Sequence, residues 1–241
     1  MCYNGHMRNV TPSVGEIYHV YNRGVEKRRI FEEEADYGRL IRCLFELNDE
    51  NPVQKLYIPL RLKSQEIPEA KLPELTRKPR KLLVEILAFC FMPNHYHFLL
   101  REKQEHGIST FMHKLGTGYT NFFNQKYERV GSLFQGPYKI IHITDNTHFL
   151  HLPHYIHLNP LDLILPEWRN GSVKDLEAAF KFLESYRWSS LLDYLGKKNF
   201  PSITQRGFLE HILSSPQELK TDMLDWIGRG NFETIEHLTL E

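Results

Sequence analysis

Two histidines separated by one residue stand just after the middle of an apolar run, Ala88-Phe89-Cys90-Phe91-Met92-Pro93-Asn94-His95-Tyr96-His97-Phe98-Leu99-Leu100. Pro93-Asn94 marks a tight turn, so the run reads as strand, turn, strand. Side chains alternate faces along a strand. His95, His97, Leu99 and Arg101 therefore share one face, and Tyr96, Phe98 and Leu100 the other. Two imidazoles aimed the same way from a rigid strand make a preformed pair of nitrogen ligands. A His-x-His triplet also arises by chance in a chain with 13 histidines. The pair alone does not establish a metal site.

A complementary set lies in His154-Tyr155-Ile156-His157-Leu158-Asn159-Pro160. Tyr155 and Asn159 are four residues apart, so on a helix they project from one face. Asn159 could add an oxygen ligand, and Tyr155 would place a hydroxyl about one turn away. Two imidazoles and an amide oxygen leave positions open for a phosphate and water. Mn²⁺ accepts such a mixed set, as does Mg²⁺ with water completing its shell. The plainer alternative is that Tyr155 packs beside a sheet and Asn159 caps the helix ahead of Pro160. No Asp/Glu cluster accompanies the histidines, which argues against a two-metal nuclease.

The elements that would position these residues follow from periodicity. Glu16 to Asn22 is β-branched and aromatic and stops at Arg23-Gly24, which predicts a first strand. Glu32-Glu33-Glu34 suits a helix N-terminus, and Tyr37, Leu40, Ile41, Leu44 and Phe45 recur at helical spacing. Leu82–Phe91 and His95–Arg101 supply the next two strands. Ile108, Phe111, Met112, Leu115, Tyr119 and Phe122 mark a second helix, which makes Tyr119 a core residue rather than a rival nucleophile. Leu133-Phe134-Gln135 and Tyr138–Ile143 predict a fourth strand, interrupted near Gly136-Pro137. The order β-α-β-β-α-β is the split βαβ, or ferredoxin-like, arrangement, an α+β fold with an antiparallel sheet. Its two helices should cover one face of the sheet and leave the other available.

Asp145 to Leu158 reads as the tyrosine-bearing helix. Pro153 lacks an amide hydrogen and clashes with the preceding turn. It should kink this helix or begin a new one. Beyond Pro160 the chain is mostly helical, with Trp168, Trp188 and Trp226 as packing anchors. The expected division is a catalytic unit over 12–160 and a helical C-terminal extension over 161–241. Within the first, 52–81 contains five prolines and ends in Arg77-Lys78-Pro79-Arg80-Lys81, a basic surface insertion.

Composition narrows the class. The 241 residues are 41% hydrophobic and 12% aromatic, enough for a sizeable core. No apolar run reaches the roughly 18–20 residues that span a bilayer, and the start lacks signal-peptide architecture. Three scattered cysteines make neither a disulfide framework nor a cysteine zinc site, which favours the cytosol. Lys+Arg and Asp+Glu are equal at 30 each, so any nucleic-acid contact rests on local patches rather than a general positive field.

Met92-Pro93-Asn94-His95-Tyr96-His97 with Tyr155-Ile156-His157-Leu158-Asn159-Pro160 resembles the HUH single-tyrosine transposases, most closely the REP-associated tyrosine transposases. Tyr18-His19-Val20 with Asn22-Arg23-Gly24, Gly131-Ser132-Leu133-Phe134-Gln135-Gly136 and Tyr186-Arg187-Trp188-Ser189-Ser190 support the resemblance, which spans about residues 15–195. It departs at Pro153 and at Pro137, where relatives often carry a basic residue.

The resemblance implies a ferredoxin-like fold, with His95, His97 and Asn159 as ligands of Mg²⁺ or Mn²⁺ and Tyr155 as nucleophile. It implies cleavage and rejoining of single-stranded or hairpin DNA through a 5′-phosphotyrosine, by a monomer or homodimer in the bacterial cytoplasm, associated with the nucleoid. Candidate DNA contacts are Arg23, Arg77, Lys78, Arg80, Lys81, Arg101, Tyr138 and Lys139. Two other readings stand beside this one. One is a non-catalytic nucleic-acid-binding module of the same fold; the other is a metal-dependent phosphodiesterase that uses water.

Overall fold

The computed structural model describes residues 10–51, 80–171, 173–210 and 215–230. Arg77, Lys78 and nearly all of the 52–81 insertion lie outside the described residues. Four strands form one sheet: β1 (Ile17–Arg23), β2 (Val84–Met92), β3 (His95–Glu102) and β4 (Lys139–His142). Their order is β2-β3-β1-β4, with every neighbouring pair antiparallel. α1 (Glu34–Leu47) joins β1 to β2, and α2 (Gly107–Lys126) joins β3 to β4. The alternation and helical spacing thus lead to the ferredoxin-like order they predict, with β1 and β3 at the centre.

One face of the sheet meets α1 and α2. Tyr18, Val20, Phe89, Phe91, Phe98 and Leu100 pack there against Leu40, Leu44, Phe111, Leu115 and Tyr119. Tyr119 is buried in this core and donates its hydroxyl to the Ile30 carbonyl at 2.6 Å. It is a core residue, as its spacing predicts.

The other face is not left available. Leu87, Ala88, Cys90, Met92 and Leu99 form an apolar floor on it, covered by α3 (Asn146–Leu158), α4 (Leu176–Ser185), α5 (Leu191–Tyr194), α6 (Gly207–Glu210) and α7 (Pro216–Arg229). Burying that floor stabilises the fold by roughly 25 cal/mol for each Å² removed from water. The five apolar residues could not have stayed open at little cost. The floor is bounded by the histidines at one end and by the Arg101–Glu85 pair at the other.

The segment Tyr186–Ser190 seals the outer edge of β2. Phe91 N–H donates to Trp188 O at 2.9 Å, and Ser190 N–H donates to Phe89 O at 3.0 Å. The Tyr186 and Tyr194 hydroxyls donate to the carbonyls of Phe91 and Leu87. An unpaired strand edge would otherwise invite association with another chain.

α3 starts at Asp145, whose carboxylate accepts from the backbone N–H groups of Thr147 and His148 at 2.7 and 3.2 Å. The helix then runs to Leu158 without restarting at Pro153, which is buried within it. Packing on β2 and β3 holds the helix together across the missing amide hydrogen. Tertiary contacts override the local preference here.

Candidate active site

The hairpin between β2 and β3 turns at Pro93-Asn94 and sends His95 and His97 onto the same face. Strand pairing sets their neighbours. On β1, Arg23 lies opposite His95, Tyr21 opposite His97 and His19 opposite Leu99. Lys139 of β4 lies opposite Tyr21. Directly opposed residues share a face, so Arg23, Tyr21, His19 and Lys139 surround the pair.

Each imidazole is fixed through Nδ1. Asn94 Oδ1 faces His95 Nδ1 at 2.6 Å, while Asn94 Nδ2 donates to the Lys27 carbonyl. That second bond sets the amide orientation, so His95 Nδ1 donates and its Nε2 keeps the lone pair. His97 Nδ1 lies 2.9 Å from His19 Nε2, and the two ring planes are nearly parallel, 14° apart, with centroids 5.1 Å apart. His97 is fully buried, and its Nε2 has no hydrogen-bond partner among the described residues.

Electrostatics keep both rings neutral. Burial lowers the His95 pKa to about 4, with the Asn159 side chain opposing and the Arg169 and Arg23 charges adding to the drop. Burial also takes His97 well below the ordinary histidine value, assisted by His95, His19 and Arg169. Neutral imidazoles are the form that binds metal ions.

α3 brings the complementary pair to this point. Asn159, at its C-terminus, lies near enough to His95 to oppose the fall in its pKa and donates Nδ2 to the Tyr155 carbonyl at 2.8 Å. That bond leaves Oδ1 as the amide's ligand atom. The Tyr155 ring, also buried, meets His97 edge-on with centroids 5.6 Å apart at 88°. It meets His19 in the same manner at 6.5 Å. Among the described residues, no group of three or more His, Cys, Asp or Glu side chains is placed to hold a metal ion. The donor set here is instead two imidazoles and an amide oxygen. It fits a mixed nitrogen and oxygen site for Mn²⁺ or Mg²⁺, and the buried Nε2 of His97 is the atom such an ion would satisfy.

Arg169 completes the cluster. Its guanidinium lies 5.7 Å from the Tyr155 ring centroid and is held by Asp162 through two bonds of 2.6 and 2.9 Å. Trp168 Nε1 donates to the same carboxylate. Bidentate pairing of this kind fixes the guanidinium plane.

The residues expected from sequence divide into two groups. His95, His97, Tyr155, Asn159 and Arg23 converge, and Lys139 stands exposed at the rim of the same face. Arg23 Nε donates to Gln135 Oε1 at 2.6 Å, and Gln135 N–H donates back to the Arg23 carbonyl at 2.9 Å. The Asn22-Arg23-Gly24 and Gln135-Gly136 motifs are therefore two sides of one contact. Gly24 is needed there, because a Cβ would lie 2.2 Å from the Arg28 carbonyl oxygen.

Other candidates lie elsewhere. Arg101 is six residues along β3, bonded to the Gly15 carbonyl and Glu85. Arg80 donates to the carbonyls of Phe45 and Asn48 at the end of α1. Lys81 pairs with Glu50 at 3.3 Å. Tyr138 packs against the first core.

Sequence reasoning passed over three members of the cluster. His19 and Asn94 appeared only within motifs, although strand alternation on β1 could have put His19 beside the pair. Arg169 lies in an irregular stretch beyond α3 and carries no comparable signal.

Residues 69–159 match the family model described as Transposase IS200 like. The resemblance read from the motifs thus holds for the stretch that contains His95, His97, Tyr155 and Asn159. No curated protein sequence matches the chain. A solved structure described as the REP-associated tyrosine transposase bound to a REP hairpin aligns over 81% of this chain and 87% of its own, at 13% identity and a TM-score of 0.48.

Proposed function

We propose that this protein is a metal-dependent tyrosine transposase that cuts and rejoins single-stranded or hairpin DNA. The convergence of Tyr155 and Asn159 from α3 on His95 and His97 from β3, within one chain, carries the reading. The family match over residues 69–159 supports it. In this reading 12–160 is the catalytic unit and 161–241 is the extension that braces it.

His95 Nε2, His97 Nε2 and Asn159 Oδ1 would hold Mg²⁺ or Mn²⁺. When bound, the ion would polarise the scissile phosphate and offset charge that builds on its oxygens. Tyr155 Oη attacks phosphorus in line and loses its proton. The bond from phosphorus to the 3′ oxygen breaks, and that oxygen leaves as a free 3′-hydroxyl after taking up a proton. The 5′ end stays on Tyr155 as a phosphodiester, whose retained ester energy lets a second 3′-hydroxyl attack and restore a continuous strand. Burial of Tyr155 limits access of water, which would otherwise hydrolyse the link.

Arg23 and Lys139, at the rim, would contact phosphates entering the site. Aromatic and cationic side chains together suit splayed strands. The neutral net charge calls for such a local patch. The protein acts as a monomer or homodimer, with the chromosome in the bacterial cytoplasm.

The deciding assay incubates labelled hairpin and linear single strands with the protein and Mg²⁺ or Mn²⁺, followed by denaturing electrophoresis. A covalent protein–DNA adduct supports the transposase reading. Cleavage without an adduct would instead favour a water-using phosphodiesterase, and binding without cleavage a non-catalytic module.

A further inference from the structure

We propose that His19 is a positioning residue that holds His97 in the tautomer needed for metal binding. The inference rests on the reading of His97 as a ligand.

For His97 Nε2 to present a lone pair, Nδ1 must carry the ring proton. The atom facing Nδ1 is His19 Nε2, at 2.9 Å in a buried contact. His19 is in register with Leu99 on β3, and two residues further along the same face Tyr21 is in register with His97. The backbone ladder therefore fixes both rings before any ligand arrives. The ring planes are within 14° of each other and meet edge to edge, as an in-plane N–H···N hydrogen bond requires. His19 also meets the Tyr155 ring edge, so one side chain touches both the ligand and the nucleophile of the proposed site.

Histidine ligands commonly donate their second nitrogen to a carboxylate, carbonyl or water, and loss of that partner costs about 10–100-fold in metal affinity. An imidazole acceptor has a distinct consequence here. With His97 Nδ1 protonated, it accepts that hydrogen without adding negative charge beside a site that must admit a phosphate. The corresponding role for His95 falls to Asn94, another neutral acceptor. Both ligands are thus oriented by uncharged partners.

The test compares Mn²⁺ binding by calorimetry in wild type, His19→Phe, His19→Gln and His97→Ala, with thermal midpoints measured alongside. His19→Phe keeps an aromatic ring but removes the acceptor, whereas Gln places an amide oxygen near the Nε2 position. The expected result is a 10–100-fold loss of Mn²⁺ affinity in His19→Phe, recovered in large part by His19→Gln. If His19→Phe binds within twofold of wild type while His97→Ala does not bind, the inference is overturned and the ligand reading stands. If wild type and His97→Ala bind alike, both are overturned. A measurement on unaltered protein is independent of variant folding: long-range ¹H–¹⁵N correlation of the histidine rings should show His97 protonated at Nδ1. Protonation at Nε2 would overturn the inference.

Discussion

Asn159 donates its side-chain amide to the carbonyl of Tyr155 at 2.8 Å, which locks the proposed third ligand to the proposed nucleophile across the last turn of α3. The same side chain opposes the lowering of the His95 pKa, so it stands where the end of α3 approaches β3. Replacing Asn159 with Ala should weaken Mn²⁺ binding at least tenfold and lower cleavage in parallel. His97→Ala should abolish both. Adding a chelator to wild type should stop cleavage while leaving hairpin binding in a mobility-shift assay, because the phosphate contacts proposed for Arg23 and Lys139 would not require the ion.

Arg169 is a cation fixed beside the Tyr155 ring by Asp162. Arg169→Met retains much of the packing and removes the charge. It should lower the rate of adduct formation roughly 100-fold, in line with removing one preorganised electrostatic partner, with less than a threefold change in DNA affinity. Single-turnover kinetics at saturating DNA separates the two quantities. An equal loss in affinity and rate would assign Arg169 to substrate binding instead.

Pro153 interrupts the hydrogen bonding of α3 at the Phe149 carbonyl. A proline inside a helix is about 3 kcal/mol less favourable than alanine, and its buried ring recovers part of that through packing. Pro153→Ala should therefore raise stability by about 1 kcal/mol in urea titration, with cleavage unchanged within twofold. A fall in stability would mean that the proline ring contributes more to packing than it costs the helix.

His154 stacks on Trp226 at 5.5 Å and 10° and tethers α7 to α3. Burial lowers its pKa, outweighing the bond to the Leu150 carbonyl, and His151 adds to the drop. The unfolded chain takes up this proton near pH 6.5, and the folded chain only at lower pH. Stability from this group is thus complete above pH 6.5 and declines as pH falls below it, by at most about 1.4 kcal/mol per unit. His154→Gln should flatten the decline in the thermal midpoint between pH 6.5 and 5. An unchanged slope would assign it to the other buried histidines.

The strand and helix order was legible because the two periodicities differ and short turn signals separate them. The site was legible for a related reason. A one-residue spacing on a strand and a four-residue spacing on a helix each fix a shared face, whatever the fold around them.

What could not be read was where each face goes. β2 is apolar on both sides, so nothing in its pattern marks the bulge near Leu87, which turns Leu87 and Ala88 to the same face. The C-terminal helices are amphipathic, yet amphipathicity does not name a partner, and they cover the face that the β-α-β-β-α-β order alone leaves open. Charge is likewise silent about its protein counterpart: sequence alone does not show that Arg80 holds backbone carbonyls or that Arg101 holds a carbonyl and the Glu85 carboxylate.

The central claim is that Tyr155 is the nucleophile. Tyr155→Phe removes one oxygen from a buried ring and preserves its contacts with His97 and His19. With labelled single-stranded hairpin DNA and Mn²⁺, wild type should form a covalent adduct stable to denaturant. Tyr155→Phe should form none, with DNA affinity and thermal midpoint close to wild type. Cleavage by Tyr155→Phe at the wild-type rate would contradict the account.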